Sequence, residues 1–399
     1  MMARTWLALF LVALALRPQI VVVGPLLPPI QADLAISHAV AGLLATIPVL
    51  CMGVFALAGP WLGRLVGTER AIAAGIAAIA LFGLLRALAP EAVSMLVLTF
   101  GVGVGIAVIG PLLPIVVHAR APRRAAVATG AYAGGIVVGA TAAAGLAVPL
   151  AGAGLDWRVP LSAFSLATVG SLAAWLLIDR RRKPADAGSR DGVNEAAQSL
   201  PITPRLPWRR RRAWALALLF GGQSILFYAA ISWLPSIYIE RGWTPADAGL
   251  LVALMNGVGL IANFGAPALS ERGRSRRGQL VLFAFASLAG VTGIAALPEL
   301  TLVWIVLLGL GLGAVFPLAL TLPVDMADRS HQAGGIAAIM LFGGYLISSV
   351  APFLLGVLRD ATGSFDASLW AVVAVAVGLV AACWFFVPAR RGPASDAAV

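Results

Sequence analysis

The stretch AIAAGIAAIALFGLL, from Ala71 to Leu85, contains no charged side chain and is apolar on every face of a helix. A membrane β-strand would instead alternate polar and apolar residues over about 10 positions. Similar apolar blocks recur along all 399 residues, of which 60% are hydrophobic and 11% are charged. Soluble domains contain about 25% charged residues. The sequence therefore predicts an all-α membrane protein and excludes a barrel.

Each apolar block has the length of a membrane span, because about 20 residues in a helix cross a hydrocarbon core of about 30 Å. The first block continues past any signal-peptide cleavage region, so we expect it to remain as the first span. Twelve blocks of this kind lie near residues 5–30, 40–63, 70–89, 93–117, 125–152, 158–178, 213–239, 247–270, 279–298, 301–323, 334–358 and 367–388.

The basic residues are concentrated on one side of the predicted membrane. Positive residues near span ends stay in the cytoplasm, so we expect both termini there and the protein in the bacterial inner membrane. The net charge of +11 is then a topology signal that contacts lipid headgroups, and no nucleic-acid partner is expected. Alternate connections assign only four basic residues to the other side: Arg86, Arg158, Arg241 and Arg359.

One long connection divides the chain into two parts. We expect an N-terminal six-helix half at 1–178, a basic cytoplasmic linker at 179–212 and a C-terminal six-helix half at 213–399. The middle of the linker has too few apolar residues to form a core, which predicts partial disorder. The two cysteines, Cys51 and Cys383, lie inside apolar spans and are expected to be buried free thiols.

The two halves repeat each other in sequence. An offset of 207 residues superposes Leu27-Pro28 on Leu234-Pro235 and residues 41–44 on 248–251. Glycine-rich stretches in later helices match in the same order at offsets of 208 and 209. Parallel repeats of this kind are typical of secondary transporters, in which the solute binds between two halves that rock about it.

Six plus six helices, cytoplasmic termini, a basic loop after the second helix and a glycine-rich fifth helix resemble the major facilitator superfamily over essentially the whole chain. The stretches that are similar to its cyanate permease and 2-nitroimidazole transporter branch are Leu16 to Pro18, Gly24 to Pro28, Ser37 to Cys51 and Gly222 to Pro235. The resemblance implies two pseudo-symmetric six-helix bundles and a small polar or anionic solute. We expect the protein to act as a monomer.

The loop after the second helix departs from the superfamily pattern, which is usually Gly-x-x-x-Asp-Arg-x-Gly-Arg-Arg. Arg64 occupies the aspartate position, whereas the repeat places Glu271 there in the second half, followed by Arg272. A carboxylate at this position could bind an arginine or a helix N-terminus and hold the cytoplasmic side closed. Either these three residues gate the cavity or both loops are solvated topology signals.

Arg17 is the residue that most directly suggests a binding site. It lies about 18 Å along the first helix, near the bilayer midplane, counting 12 residues from Thr5 at about 1.5 Å each. A guanidinium at this depth costs at least about 2.5 kcal/mol and keeps its proton. No other span has a carboxylate at similar depth. Arg17 either faces a central cavity and pairs with an anionic solute, or braces its helix through carbonyls freed by Pro18.

The seventh helix is the partner of the first in the repeat and places Ser224 opposite Arg17. Ser224 and Tyr228 share one helical face, and Gln223 lies about 100° away, so we expect hydrogen-bonding groups of the cavity wall. Trp233 is expected near the periplasmic mouth, either as a wall residue or as an aromatic anchor at the membrane surface.

Further polar residues lie in the predicted spans of both halves. Asn256 and Asn263 are seven positions apart on one face of the eighth helix, and we expect one to line the cavity and one to bridge helices. The remaining candidates for the substrate site are Tyr132, Tyr345, Ser348 and Ser349.

Several activities are excluded by missing motifs. The glycine runs do not follow a strand, and there is no Gly-x-x-x-x-Gly-Lys-Ser/Thr, so ATP-driven pumping is not expected. The spans contain no paired carboxylates, no His/Cys cluster and no Ser/His/Asp set, so we expect no enzyme, no metal site and no cofactor. The three histidines lie at span ends or in loops, which favours facilitated diffusion, exchange or co-movement of a proton with the solute.

Two transport hypotheses remain. The first is import of a small anion such as cyanate by rocker-switch alternating access, with Arg17 in the central cavity. The second is export of a small nitro-heteroaromatic or drug-like compound.

Overall fold

A computed structural model describes residues 2–56, 58–120, 125–180, 208–271, 275–326 and 330–388. The middle of the predicted linker, residues 181–207, lies outside these ranges, so its disorder stays a prediction. The helices of the first half are α1 (Met2–Leu16), α2 (Pro18–Val21), α3 (Val23–Leu34), α4 (His38–Val54), α5 (Ala58–Val66), α6 (Thr68–Ala87), α7 (Ala92–Arg120), α8 (Ala125–Ala151) and α9 (Arg158–Arg180).

The second half repeats the arrangement with fewer breaks. Its helices are α10 (Arg211–Glu240), α11 (Pro245–Glu271), α12 (Arg276–Ala296), α13 (Thr301–Asp325), α14 (Ser330–Thr362) and α15 (Asp366–Phe386). A 3-10 turn, Pro298–Leu300, precedes α13.

The membrane spans agree in number with the sequence prediction. Ten helices of the described chain are long and apolar enough to cross a bilayer alone, and two bent pairs bring the total to twelve. The first pair bends by 40° at Val22 and the second by 62° between α4 and α5. Large apolar side chains are exposed on the outer surface of the helices, as a lipid-facing surface requires. Ile261 and Phe385, for example, are 71% and 77% exposed. The free, buried thiols of Cys51 and Cys383 are confirmed.

The breaks in the first span follow from proline. Pro18 has no N–H to donate, and the residue before a proline is disfavoured in a helix, so α1 ends immediately before Arg17. The Arg17 carbonyl then accepts from Ile20 N and Val21 N, both at 3.1 Å, and starts the short helix α2. The equivalent helix α10 continues for 30 residues, because the repeat places Ile225 where the first half has Pro18.

The two halves touch at positions that the repeat relates to each other. A Cβ on Gly24 of α3 would lie only 2.0 Å from the carbonyl oxygen of Ile231 in α10, and these residues are 207 positions apart. Backbones come this close only where a residue has no side chain. The first span and its repeat partner therefore cross at equivalent points, as a pseudo-two-fold axis between them requires.

A second pair of contacts shows the same symmetry. A Cβ on Gly42 of α4 would lie 2.9 Å from Phe353 Cα in α14, and one on Gly249 of α11 would lie 3.0 Å from Ala144 O in α8. The glycines are 207 positions apart and their partners 209, the offsets at which the sequence repeats. The α4–α14 contact is thus repeated by the α11–α8 contact on the other side of the axis.

The halves are joined at the face away from the chain termini, which we call the far face; the other is the terminal face. The Asp360 carboxylate, near the end of α14, accepts from His38 N at 3.2 Å and from Ala39 N at 2.8 Å, and lies 2.7 Å from His38 Nδ1. Thr46 Oγ1 accepts from Phe353 N at 3.3 Å and continues this contact into the bundle. All of these contacts link the first half to the second at the far face.

Candidate functional site

A cavity lies between the halves near the middle of the bundle, with about 690 Å³ of empty space that includes open solvent. Its wall combines the α1–α2 junction with α8, α10, α11, α13 and α14. The first half contributes one charged group and the apolar side chains of Ile136, Val137 and Ala140. The polar lining consists of Arg17, Gln223, Ser224, Tyr228, Asn256, Asn263 and Tyr345.

Arg17 enters the cavity where the first span breaks. Its Nη1 donates to Tyr228 Oη at 2.9 Å, and its guanidinium carbon lies 5.4 Å and 5.6 Å from the ring centroids of Phe227 and Tyr228. Cation–π contacts and a hydroxyl satisfy part of the guanidinium, but none of the described lining residues is acidic. The described hydrogen bond of this guanidinium goes to Tyr228 and not to the carbonyls beside Pro18, which was the alternative to a cavity-facing Arg17.

The amide and hydroxyl side chains of α10 and α11 form the opposite wall. Gln223 Nε2 donates to Leu312 O at 3.4 Å, and Ser224 Oγ donates to Gln223 Oε1 at 3.3 Å. Asn256 Nδ2 donates to Val252 O of its own helix at 2.9 Å. Asn263 also lines the cavity, so the two asparagines do not divide into one wall residue and one helix bridge.

Of the four remaining candidates, only Tyr345 is one of the described residues that line the cavity. Tyr345 lines the cavity and packs edge-on against Phe220, with ring centroids 5.2 Å apart. Tyr132 packs against the hydrophobic core in α8 and is not one of the lining residues. Ser348 and Ser349 are buried and donate to carbonyls of their own helix, at 3.2 Å and 2.8 Å.

Trp233 is not one of the residues that line this cavity and lies close to the far-face contact of the two halves. It is 2% exposed and its Nε1 donates to Pro352 O at 2.9 Å. Its ring packs against Phe365 and His38, with centroid distances of 5.3 Å and 5.9 Å. The indole therefore packs in the contact between the halves beside the far face. It is too buried for an anchor at the membrane surface, and a role in substrate binding stays a prediction.

The predicted gate is only partly described. Arg64 lies in the last turn of α5 and is half-buried. Glu271 ends α11, but its side chain lies outside the described parts of the chain, as does Arg272. Nearby on the terminal face, Arg276 forms a salt bridge with Asp325 inside the second half. A gate at Glu271 stays a prediction.

Sequence reasoning counted Arg86 only as a topology signal inside the predicted span 70–89. It lies in the last turn of α6 and is fully buried, a role the sequence analysis missed. Its Nη2 donates to both Gln19 O and Gln19 Oε1 at 2.8 Å. The available signal was the presence of polar Gln19 and Ser165 inside other spans, since buried polar groups need partners. No group of three or more His, Cys, Asp or Glu side chains in the described ranges could hold a metal ion.

Comparisons with known proteins agree with this architecture. The Major Facilitator Superfamily pattern matches residues 5–352. The cyanate transport protein CynX of Escherichia coli (strain K12) is 33% identical over 386 residues, which are 96% of this chain and 97% of that protein. The 2-nitroimidazole transporter of the same organism is 30% identical over 367 residues, covering 91% of this chain and 90% of its own.

The fold is also that of a solved transporter. The crystal structure of a D-xylose–proton symporter superposes with a TM-score of 0.77 at 15% sequence identity, covering 97% of this chain and 98% of that chain. The match in fold and the matches in sequence both extend over nearly the full length of the chain. Together with the twelve spans and the cavity between two repeated halves, they show that this chain belongs to the Major Facilitator Superfamily, whose members are membrane transporters and not enzymes.

Proposed function

We propose that this chain moves a small anion of cyanate-like size across the bacterial inner membrane. The observation that carries the proposal is Arg17, a permanent cation in the cavity wall whose described partners are neutral. A buried positive charge without a carboxylate favours a ligand that brings the negative charge. Cyanate is the solute in the name of a relative that matches 96% of this chain.

The remaining lining groups fit a small anion bound at Arg17. One N–H of the guanidinium is directed at Tyr228, and the fork has four other N–H donors that can hold an anion at two points. Asn256 and Asn263 add neutral donors to the same cavity. Such donors orient an anion without opposing its charge.

Transport would follow from rocking of the two halves about this cavity. The contacts of Asp360 with His38 and Ala39 link the halves at the far face, so we infer that the solute exchanges with the terminal face in this state. Both termini, and therefore that face, would lie in the cytoplasm, as the arginine distribution favours. All lining groups come from one chain, so a monomer surrounded by lipid would suffice.

Export of a small nitro-heteroaromatic compound is the second candidate. It is favoured by the aromatic rings of Phe227, Phe316 and Tyr345 in the cavity wall, since aromatic rings stack on planar solutes. A relative that matches 91% of this chain carries 2-nitroimidazole in its name. A nitro group would also accept hydrogen bonds from Arg17, so the two candidates differ in the need for a negative charge.

The test is uptake of radiolabelled cyanate into proteoliposomes that contain the purified protein. We expect Arg17→Ala to reduce uptake at least about tenfold, since losing a charged hydrogen bond costs about 1.5–3 kcal/mol. Arg17→Lys should also be impaired, because a lysine lacks the fork. Arg158→Ala is the matched control: this arginine pairs with Asp33 at the far face, where ion pairs contribute about 0–1 kcal/mol.

Two results separate the candidates. Full cyanate uptake by Arg17→Ala would refute the anion proposal. A thermal shift of the purified protein with 2-nitroimidazole, and none with cyanate, would favour the second candidate, because a ligand stabilises the folded state that binds it.

A further inference from the structure

We propose that Arg86 is a positioning residue for the cavity. It holds the short helix α2 through contacts outside the cavity and thereby fixes where Arg17 enters the binding site. The structural part of this inference stands on the contacts of Arg86, and its functional part rests on the proposed role of Arg17. Arg86 itself does not line the cavity.

The contacts of Arg86 and Gln19 connect α2 to two other helices. Arg86 in α6 donates from one nitrogen, Nη2, to the backbone and side-chain oxygens of Gln19, both at 2.8 Å. The Gln19 side chain in turn donates from Nε2 to Ser165 Oγ in α9 at 2.9 Å. Ser165 Oγ donates to Leu161 O at 2.7 Å. Gln19 is thus held from α6 and α9 at once.

The segment that receives these bonds cannot hold its own shape. Helix α2 has four residues and begins with Pro18, and a single helical turn is unstable without outside contacts. It is bounded by Arg17 on one side and by the 40° bend at Val22 on the other. In a continuous helix Gln19 O would accept from Val23 N, whereas here it lies at the bend and accepts from Arg86.

An arginine at position 86 lowers the stability of the folded protein. Arg86 is 0% exposed, and its Nε and Nη1 are buried without a hydrogen-bond partner among the described residues. Buried unsatisfied donors and buried charges without carboxylates destabilise a fold. An apolar residue would pack at this position without that cost, but it would leave both oxygens of Gln19 without their donor. The stability lost at Arg86 is therefore consistent with a role in holding Gln19 in place.

Gly83 provides a mild way to disturb the same cluster. A Cβ at Gly83 would lie 2.8 Å from Ser165 Oγ and 3.0 Å from Gln19 Cδ. Gly75, two turns earlier in α6, is equally tight but faces away from α2: its Cβ would lie 2.6 Å from Ile109 Cγ1 and 3.0 Å from Gly105 O. Gly83→Ala and Gly75→Ala are therefore a matched pair.

The first readout is hydrogen exchange of the peptide that contains residues 17–22, measured by mass spectrometry on the protein in nanodiscs. The Ile20 and Val21 amides donate to Arg17 O, so their exchange reports how well α2 is held. We expect Arg86→Gln and Gly83→Ala to speed this exchange at least about threefold. Gly75→Ala should leave it unchanged, although it strains the same helix.

The second readout is cyanate uptake in proteoliposomes. Arg86→Gln and Gly83→Ala should each raise the KM for cyanate several-fold, because Arg17 is less well placed. The maximal rate should stay within about twofold of the wild type. Arg86→Lys, which keeps a donor, should recover part of the affinity. Unchanged exchange and unchanged KM in Gly83→Ala would overturn the proposal even if Arg86→Gln fails to fold. Faster exchange in Gly83→Ala together with normal cyanate uptake by Arg17→Ala would refute the proposed function. It would still support the structural part of the inference, that Arg86 holds α2 in place.

Discussion

Replacing Tyr228 by phenylalanine tests whether Arg17 is held ready for its ligand by a neighbouring side chain. The substitution removes one atom, the Oη that accepts from Arg17 Nη1 at 2.9 Å. It keeps the aromatic ring, whose centroid lies 5.6 Å from the guanidinium carbon. The cation–π contact therefore survives while the hydrogen bond is lost. We expect the Kd for cyanate to rise.

The size of the effect depends on what the hydroxyl does. If Tyr228 only holds Arg17 in place, binding must order one long side chain, at a cost of about 0.5–1.5 kcal/mol. That corresponds to a roughly 2- to 13-fold rise in Kd. If the hydroxyl also donates to the anion, another 0.5–1.5 kcal/mol or so is lost, and the rise reaches roughly 5- to 160-fold.

A double-mutant cycle separates the two residues. Calorimetric titration with cyanate would be made on the wild type, Tyr228→Phe, Arg17→Ala and the double variant. Because Tyr228 is expected to act through Arg17, its replacement should have little effect once Arg17 is alanine. Tyr132→Phe is the control, since Tyr132 is not a lining residue. Effects that add to within about 0.3–0.5 kcal/mol would show that the two side chains act independently and refute the reasoning.

Three further substitutions have defined outcomes. Asp360→Ala removes the acceptor of His38 N and Ala39 N, so spin labels at exposed Glu91 and Glu299 should show a longer distance population, which Asp366→Ala should not produce. Trp233→Phe leaves the buried Pro352 carbonyl without its donor and should lower the free energy of unfolding by about 1–3 kcal/mol; the exposed Trp370→Phe is the control, and equal melting temperatures would contradict the assignment. Phe316→Ala should leave the Kd for cyanate within about twofold, because cyanate has no ring to stack, and a large loss would favour an aromatic solute.

The number and order of the spans can be predicted from sequence because a bilayer imposes one length on every crossing helix. The seventh span, predicted at 213–239, is α10, Arg211–Glu240. The polar residues Gln223, Ser224 and Tyr228 can be assigned to the interior for a related reason, since lipid offers them no hydrogen bonds. All three line the cavity in the structure.

The contacts of Arg86 and Trp233 are tertiary contacts that no local pattern encodes. Arg86 lies one residue from the end of α6, so a rule that counts charges near span ends gives it only a topology role. Its partner Gln19 is distant in sequence and lies in the short helix α2. Trp233 resembles an interfacial anchor by hydropathy, but the acceptor that buries it is Pro352 O in another helix. In both cases the deciding partner lies in a different span.

Only the first half contributes a charged group to the described cavity lining, and this asymmetry should affect the transport cycle. In the empty cavity Arg17 faces neutral groups, and closing the bundle around it would remove a permanent charge from water with no counter-charge, which costs several kcal/mol. With an anion bound, the same movement carries a nearly neutral pair. Rocking should therefore be slow when the cavity is empty and fast when it is loaded. We expect cyanate inside proteoliposomes to accelerate cyanate entry several-fold over empty vesicles, measured as initial rates of tracer uptake. Equal rates would show that the empty transporter reorients freely, and that the charge of Arg17 is neutralised by something other than the solute.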